Sequence, residues 1–296
     1  MHILSEASPD LDPDKSDGDI NGATKVALGL GVTVHFLRRA SDYEPDEDPL
    51  DGVAPVPREQ TAVWVGRIPT PEWYARVHAS ALARGLRLVN APEEHRRVLE
   101  FDHAYPRLEG LTPRSVVVED VRGVPAAIER LGLPLFIKGT LLSRKFYGWK
   151  ACVADTPEEA EVLVARLLRV SQLSRGRAVL RELVPLRRTE QVLEGFPTSR
   201  EYRLFLLRGE VVGQGYYWPF EDPFGALAGD DEAAVLALAR EAARRLEAPY
   251  VSVDVGQLQD GRWIVIESGD PQFSGVGHIS LPALYRNLRD ALTRAT

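Results

Sequence analysis

Short apolar runs with strand spacing alternate with longer helix-period stretches along the first third of the chain. HILSEA at the start reads as a strand, residues 22–31 as a helix and VTVHFL as the next strand. Residues 41–59 carry Asp, Glu and Pro without an apolar period, which predicts an exposed loop. TAVWVG resumes as a strand, PEWYARVHASALARG as a helix opened by Pro71 and closed by Gly85, RLVN as a short strand and PEEHRRVLEF as a helix. An alternating α/β layer ending near Leu108 follows.

The pattern changes beyond that point. RSVVVED reads as a strand, VPAAIERLG as a helix closed by Gly132, and LPLFIKG with WKACVA as two facing strands of a hairpin. PEEAEVLVARLLRVSQLS is a strongly amphipathic helix, and RAVLRELVP is a buried strand. REYRLFLL and EVVGQGYYW pair across Arg208, Gly209 and Glu210. DEAAVLALAREAARRLE is a helix, SVDVGQLQ and WIVIES pair across Asp260 and Gly261, and LPALYRNLRDALTRA closes the chain as a helix. The reading is two domains, residues 1–108 α/β and residues 109–296 α+β, without internal repeats.

The chain has 296 residues, enough for about two cores of ordinary size. Cys152 is its single cysteine, which excludes an intramolecular disulfide and a cysteine zinc site. With no basic segment leading an apolar run at the start, and no stretch of the ~20 apolar residues that cross a bilayer, the expectation is a soluble, unprocessed, cytoplasmic protein. A net charge of −7 disfavours loose nucleic-acid binding, although a local basic groove remains compatible with it.

Candidate chemistry begins with the cations. The only lysines are Lys15, Lys25, Lys138, Lys145 and Lys150, and three of them crowd one stretch. Lys138 ends an apolar strand and Lys150 opens the facing one, so two ammonium groups are expected to meet a phosphate chain from rigid backbone. A lysine snorkelling from a sheet edge is the bland alternative for either residue. Asp254 lies among apolar neighbours in SVDVG, Glu267 ends IVIES, and Asp270 follows three residues later. Buried carboxylates need a cation: either Mg²⁺ on nucleotide phosphates or an arginine, with Arg203 and Arg181 as the candidates. Arg203 would alternatively lie across phosphate or acyl-phosphate oxygens. Arg144 and Lys145 read either as contacts to an anionic substrate or as solvated loop charges, and Tyr216, Tyr217, Trp218 and Phe220 mainly as packing.

Other signals fall away. Asp10, Asp12 and Asp14 imitate a calcium loop, but Lys15 stands where glycine is needed and Asn21 where a glutamate is needed. The six histidines are too scattered for a helix-borne metal pair, and no G-x-S-x-G, G-x-x-x-x-G-K-[ST] or strand-borne G-x-G-x-x-G motif occurs.

The order of Lys138, Lys150, RELVP, EYR, SVD and IES resembles the ATP-grasp superfamily over about residues 113–296. Within it, Lys138, Lys150, Arg203 and the ending ESGDPQFSGV are most similar to the branch named for one arginine and two lysines. The resemblance implies a nucleotide site between two α+β subdomains and a pre-ATP-grasp domain in front. It also implies ADP-forming, Mg²⁺-dependent joining of a small-molecule or peptide carboxylate to an amine through an acyl phosphate. By this likeness Arg181, Glu182, Leu183 and Val184 form the adenine hinge and Glu190 is the ribose candidate. Lys138 and Lys150 match the phosphate lysines, Arg203 and Lys150 the catalytic cations, and Asp254, Glu267 and Asp270 the metal ligands. Arg107, in the passage between domains, is expected to face the site. Many relatives end the last strand with Glu, one residue and Asn, whereas this chain has Ser268, Gly269 and Asp270 after Glu267. Its loop at residues 139–148 is also poorer in glycine. Two alternatives accompany the ligase reading: phosphoryl or nucleotidyl transfer to another acceptor such as an RNA end, and a nucleotide-binding module without turnover.

Overall fold

The computed structural model describes residues 1–8, 10–11, 18–44 and 46–294. Asp12, Asp14 and Lys15, on which the rejected calcium reading turned, lie outside the described residues.

Strands β1 (His2–Ser5), β2 (Thr33–Phe36), β3 (Gln60–Val65) and β4 (Leu86–Leu88) form a parallel sheet in the order β2-β1-β3-β4. Helix α1 (Gly18–Gly29) links the first two strands, and α2 (Pro71–Leu82) links the last two. The start of α2 follows from chemistry: Thr70 accepts a hydrogen bond from the Trp73 amide, and Pro71 fills the first helical position, where no donor is needed. The loop at 41–59 carries only a short turn at Ala40–Asp42, yet it is tied down, since Leu50 is buried beside Leu4, Leu37 and Trp64.

The helix expected over 92–101 is two helices, α3 (Pro92–Leu99) and α4 (Phe101–Leu108). They break at Glu100, whose backbone is extended and whose buried carboxylate is gripped by Arg96, Arg175 and Arg177. Arg107, expected at the site, instead faces Glu247 at 3.7 Å, because the last turn of α4 lies against the end of a later helix.

The middle of the chain builds an antiparallel sheet in the order β5 (Ser115–Val118), β8 (Ala178–Glu182), β6 (Leu135–Gly139) and β7 (Val153–Ala154). Helices α5 (Val124–Leu131) and α6 (Pro157–Leu168) bury Ala127, Leu131, Leu163 and Leu167 in one core with Leu135, Ile137 and Leu180. A short helix α7 (Ser171–Ser174) follows α6. The expected strand WKACVA shrinks to β7, because Trp149–Ala151 forms a tight turn.

A hairpin that the sequence pattern did not reveal, β9 (Arg188–Leu193) and β10 (Phe196–Ser199), leads into the third layer. That layer orders β12 (Glu210–Tyr216), β11 (Glu201–Leu207), β13 (Tyr250–Gln257) and β14 (Trp263–Gly269), all antiparallel. Helix α8 (Gly229–Leu246) packs on it through Val235, Ala239 and Leu246, while α9 (Leu281–Thr293) joins Phe205, Val212 and Tyr250 to Ile3, Ala27 and Val63. The first sheet and the last therefore share a core.

A polar network crosses the same junction. Asp270 is fully buried, and its carboxylate meets the His95 ring at 2.9 Å, the Asn90 amide at 3.1 Å and both the backbone and side chain of Gln272. Gln272 in turn receives the Trp64 amide and donates to the Tyr74 hydroxyl, while Tyr74 stacks on His95. Removing the carboxylate leaves several buried donors without an acceptor. Asp270→Ala is expected to cost about 3 kcal/mol, read as a lower denaturant midpoint at unchanged slope, whereas an exposed carboxylate would cost next to nothing.

Candidate functional site

A cleft of about 760 Å³ opens between the middle sheet and the C-terminal sheet, within the size range of small-molecule sites. At one end it is walled by Pro113, Phe136, Leu183, Val184, Leu186 and Phe196, a flat apolar slot. Its other end holds Lys138, Lys145, Glu201, Asp254 and Glu267.

Each charged group there has a structural reason for its place. Lys138 lies one residue before the end of β6 and is buried, so its ammonium needs an anion; it finds Glu267 on β14, across the gap between two sheets. Burial pushes the Lys138 ammonium down, with Glu267 opposing. For Glu267 burial acts upward, but the Lys138 ammonium wins and holds the carboxyl below its ordinary value. Asp254 is the cross-strand partner of both Arg203 and Glu267. Arg203 meets it with two parallel bonds, Nε to Oδ1 at 2.8 Å and Nη2 to Oδ2 at 2.7 Å, and spends Nη1 on the Gly275 carbonyl at 2.7 Å. Burial opposes the charge of Arg203, yet the Asp254 carboxylate outweighs it and raises the guanidinium above its usual value. The arginine partner that competed with a metal for Asp254 is thus present.

Arg181 is fully enclosed on β8, packed over the Phe101 ring at 4.5 Å. It donates to the Ile266 carbonyl at 2.6 Å, but its Nη2 has no partner among the described residues. Burial pushes its pKa down to about 10. Glu182, Leu183 and Val184 line the apolar end as expected, with Glu182 also held by Arg114 at 3.0 Å.

Three expectations are corrected. Lys150 sits in the turn Trp149–Ala151, exposed and paired with Asp155 at 2.8 Å and Glu159 at 3.5 Å, and it does not line the cleft. The turn cuts the expected strand short and swings the side chain toward the start of α6. Glu190 is exposed on β9 and stays outside the cleft, since the unforeseen hairpin directs it to solvent. Asp270 belongs to the buried network described above, with its oxygens already taken by His95, Asn90 and Gln272.

Two residues take up the vacated roles. Lys145 reaches the cleft from the loop after β6, where its ammonium meets the Tyr217 hydroxyl and lies 4.7 Å from the Trp218 ring centre. Burial alone would lower it, but Tyr217, Glu201 and Glu267 together raise it. The loop stays in place because Gly139 passes the Leu173 backbone too closely for any side chain, while the Leu141 and Leu142 amides donate to the Leu173 carbonyl. Glu201, at the start of β11, is buried, bonded to the Ser199 hydroxyl and pushed up to about 7 by that burial. The only trace of it in the sequence is an acidic residue heading an otherwise apolar strand.

The cleft therefore sets Lys138, Lys145, Arg181 and Arg188, with Arg203 beside them, against Asp254, Glu267 and a Glu201 that is half protonated near neutral pH. Positive charge is in surplus, which suits a polyanion.

A family model described as an ATP-grasp domain, family 3 of the clade labelled for one arginine and two lysines, matches residues 115–288, more than half of the chain. The chain belongs to the ATP-grasp family. The match begins with β5 and runs into α9, so it contains every charged residue of the cleft. Solved structures resemble the whole chain, including the N-terminal sheet. D-cycloserine synthetase DcsG aligns with TM-score 0.60 at 17% identity, covering 98% of this chain and 99% of that one. The ATP-grasp ligase PsnB, solved with a phosphomimetic variant of its minimal precursor, Mg and ADP, aligns with TM-score 0.60 at 14% identity, covering 99% and 96%. D-alanyl-alanine synthetase A from Vibrio cholerae O1 biovar eltor str. N16961 aligns with TM-score 0.63 at 11% identity, covering 99% and 96%. No curated protein matches the chain in sequence. Among the described residues no helix is long and apolar enough to cross a membrane.

Glu201 provides a pH test. Its folded-state value lies above the ordinary 4.5, so the native state holds the extra proton, and the stability it contributes is complete below about 4.5 and lost as pH rises through about 7. The difference in unfolding free energy between the parent and Glu201→Gln is expected to change by up to about 3 kcal/mol across that window. A difference independent of pH in paired urea melts would show that Glu201 is already ionised at acid pH.

Proposed function

We propose that the chain is an ATP-dependent ligase that joins a carboxylate to an amine, releasing ADP and phosphate. The observation that carries this reading is the Lys138–Glu267 and Arg203–Asp254 pairs, drawn from two different sheets to one cleft. The kinds of ligand named for the relatives support it: Mg and ADP with PsnB, and synthetase activities for the other two.

ATP fits the residues present. The apolar slot at Leu183 and Val184 accepts a base, and backbone groups at the end of β8 supply its polar edge. Lys138 and Lys145 lie where phosphates would follow, and the unpartnered Nη2 of Arg181 is a buried donor awaiting an acceptor. Arg203 and the two lysines are read as the arginine and lysine pair expected of the branch, with Lys145 in place of Lys150. Asp254 and Glu267, side by side on β13 and β14, form a hard-oxygen set suited to Mg²⁺. When bound, that ion would neutralise phosphate charge and orient the transferred group. Asp270 has no part in this set. The N-terminal sheet is read as the pre-ATP-grasp domain, with its boundary near residue 108.

The reaction divides into two displacements. A carboxylate oxygen of the acceptor attacks the γ-phosphorus, the bond from that phosphorus to the bridging oxygen breaks, and ADP leaves. The amine nitrogen then attacks the acyl carbon, the carbon–oxygen bond to phosphate breaks, and the amine gives up a proton as phosphate departs. This chain's own contribution is charge and position. Lys138 and Lys145 hold charge that builds on the phosphate oxygens, and Arg203 retains unused N–H donors beside Asp254 for the acyl-phosphate oxygens.

Incubation with ATP, Mg²⁺ and pools of carboxylates and amines is expected to give ADP and phosphate, and Glu267→Gln to lower that rate by about a hundredfold or more. AMP with pyrophosphate would overturn the reading. Lys145→Ala is expected to weaken binding of a fluorescent ATP analogue by about tenfold or more. Lys150→Ala, which removes a solvated surface pair, should change it by less than about twofold. Equal losses from both would reverse the assignment.

A further inference from the structure

A second cleft of about 1640 Å³ adjoins the first and shares with it Lys145, Tyr217, Trp218, Asp254 and Glu267. Resting on the ligase reading, we infer that this cleft receives the carboxylate substrate, and that the substrate is an acid with a bulky apolar body attached to the reacting group.

The position follows from the shared residues. Anything in the second cleft that approaches Asp254 and Glu267 arrives beside the phosphate end of the first and opposite the apolar slot. Arg203, which lines only the second cleft, marks the place of the carboxylate.

The apolar class follows from the walls. Away from Arg203 they are Ile68, Leu99, Leu141, Val170 and Leu173, hydrocarbon side chains from four separate segments. The mouth is formed by the loop after β6, where Leu142 is 44% exposed, Phe146 62% and Tyr147 72%. Exposed apolar residues scattered over a surface need no explanation, but three on one loop at the rim of a cleft form a patch. The cations present are already engaged: Arg203 by Asp254, Lys145 by Tyr217, and Arg144 by the Tyr147 ring at 4.7 Å. An acceptor with a second charge away from its reacting end would meet methyl groups there and lose its hydration without compensation. An apolar body gains by the same burial.

The loop also explains how this selectivity would be coupled to chemistry. Lys145 belongs to the same short segment as Leu142, Phe146 and Tyr147. Contacts made by an apolar body to the loop therefore hold the phosphate lysine in place.

The test uses the full chain with ATP, Mg²⁺ and hydroxylamine as a general nucleophile, so that an acyl phosphate is trapped as a hydroxamate. Acetate, succinate and N-acetylglutamate are compared with hexanoate, phenylpropanoate and N-acetylphenylalanine. The expected result is a kcat/KM for the apolar acids about tenfold or more above that for the small and charged ones. Leu142→Asp and Tyr147→Ala, both at exposed positions, should cut that advantage by about tenfold while changing affinity for a fluorescent ATP analogue by less than about twofold. Hydroxamate formed equally well from acetate or succinate would overturn the inference and leave the ligase reading standing. Hydroxamate from none of the six acids would also overturn it, and the ligase reading would then be decided by the ADP or AMP found with the wider pools.

Discussion

A carboxylate without water must be surrounded by donors, and the fully buried Asp270 imposes that demand on the whole molecule. Its donors come from places far apart in the chain: Asn90 after β4, His95 on α3, and Gln272 just beyond β14. Gln272 extends the network to Trp64 on β3 and Tyr74 on α2, and Asn90 extends it to both backbone groups of Tyr250 at the start of β13. The N-terminal sheet is thereby clamped to the two strands that carry Asp254 and Glu267. Because Glu267 lies only three residues before Asp270, the clamp restricts the direction in which β14 presents it to the cleft.

Opposite charges in the cleft then satisfy one another until a ligand arrives. Lys138 with Glu267 and Arg203 with Asp254 are ion pairs at a site walled partly by apolar groups, where removing one member leaves the other costly. A nucleotide carrying a divalent ion brings both signs of charge. Its phosphates offer anions to the lysines as its metal offers a cation to the carboxylates, so partners are exchanged instead of new charges being desolvated. The pairs are a standing form of the site, and they explain how such a concentration of charge is compatible with a stable fold.

Much of this was legible in the sequence because burial imposes period and pairing. Strands β1, β3, β6, β8, β11, β13 and β14, and helices α2, α6, α8 and α9, follow from apolar spacing and turn residues, and Lys138, Arg203, Asp254 and Glu267 stand out as charges inside apolar strands. What escaped depends on contacts distant in sequence. The hairpin of β9 and β10 is polar and mostly exposed, so it lacks a strand period. Asp270 and Asp254 look alike as acidic residues beside apolar strands; only the third dimension shows His95 and Asn90 beside one and Arg203 beside the other. Glu201 was hidden because its burial comes from the cleft and not from its own strand pattern.

Lys145 and Lys150 show the same limit most sharply. Both lie in one basic, aromatic stretch, and local spacing favours Lys150, which precedes an apolar run that looks like a strand. The outcome is decided by Gly148, whose left-handed backbone begins the turn and packs against the Glu194 carbonyl of the β9–β10 hairpin. That turn sends Lys150 toward Asp155 and Glu159, while Lys145, before it, falls between the rings of Tyr217 and Trp218. An element without a readable period thus chooses which lysine faces the cleft. The choice has a functional logic, since a lysine on a loop can respond to whatever fills the neighbouring cleft, whereas Lys138, held within β6, cannot.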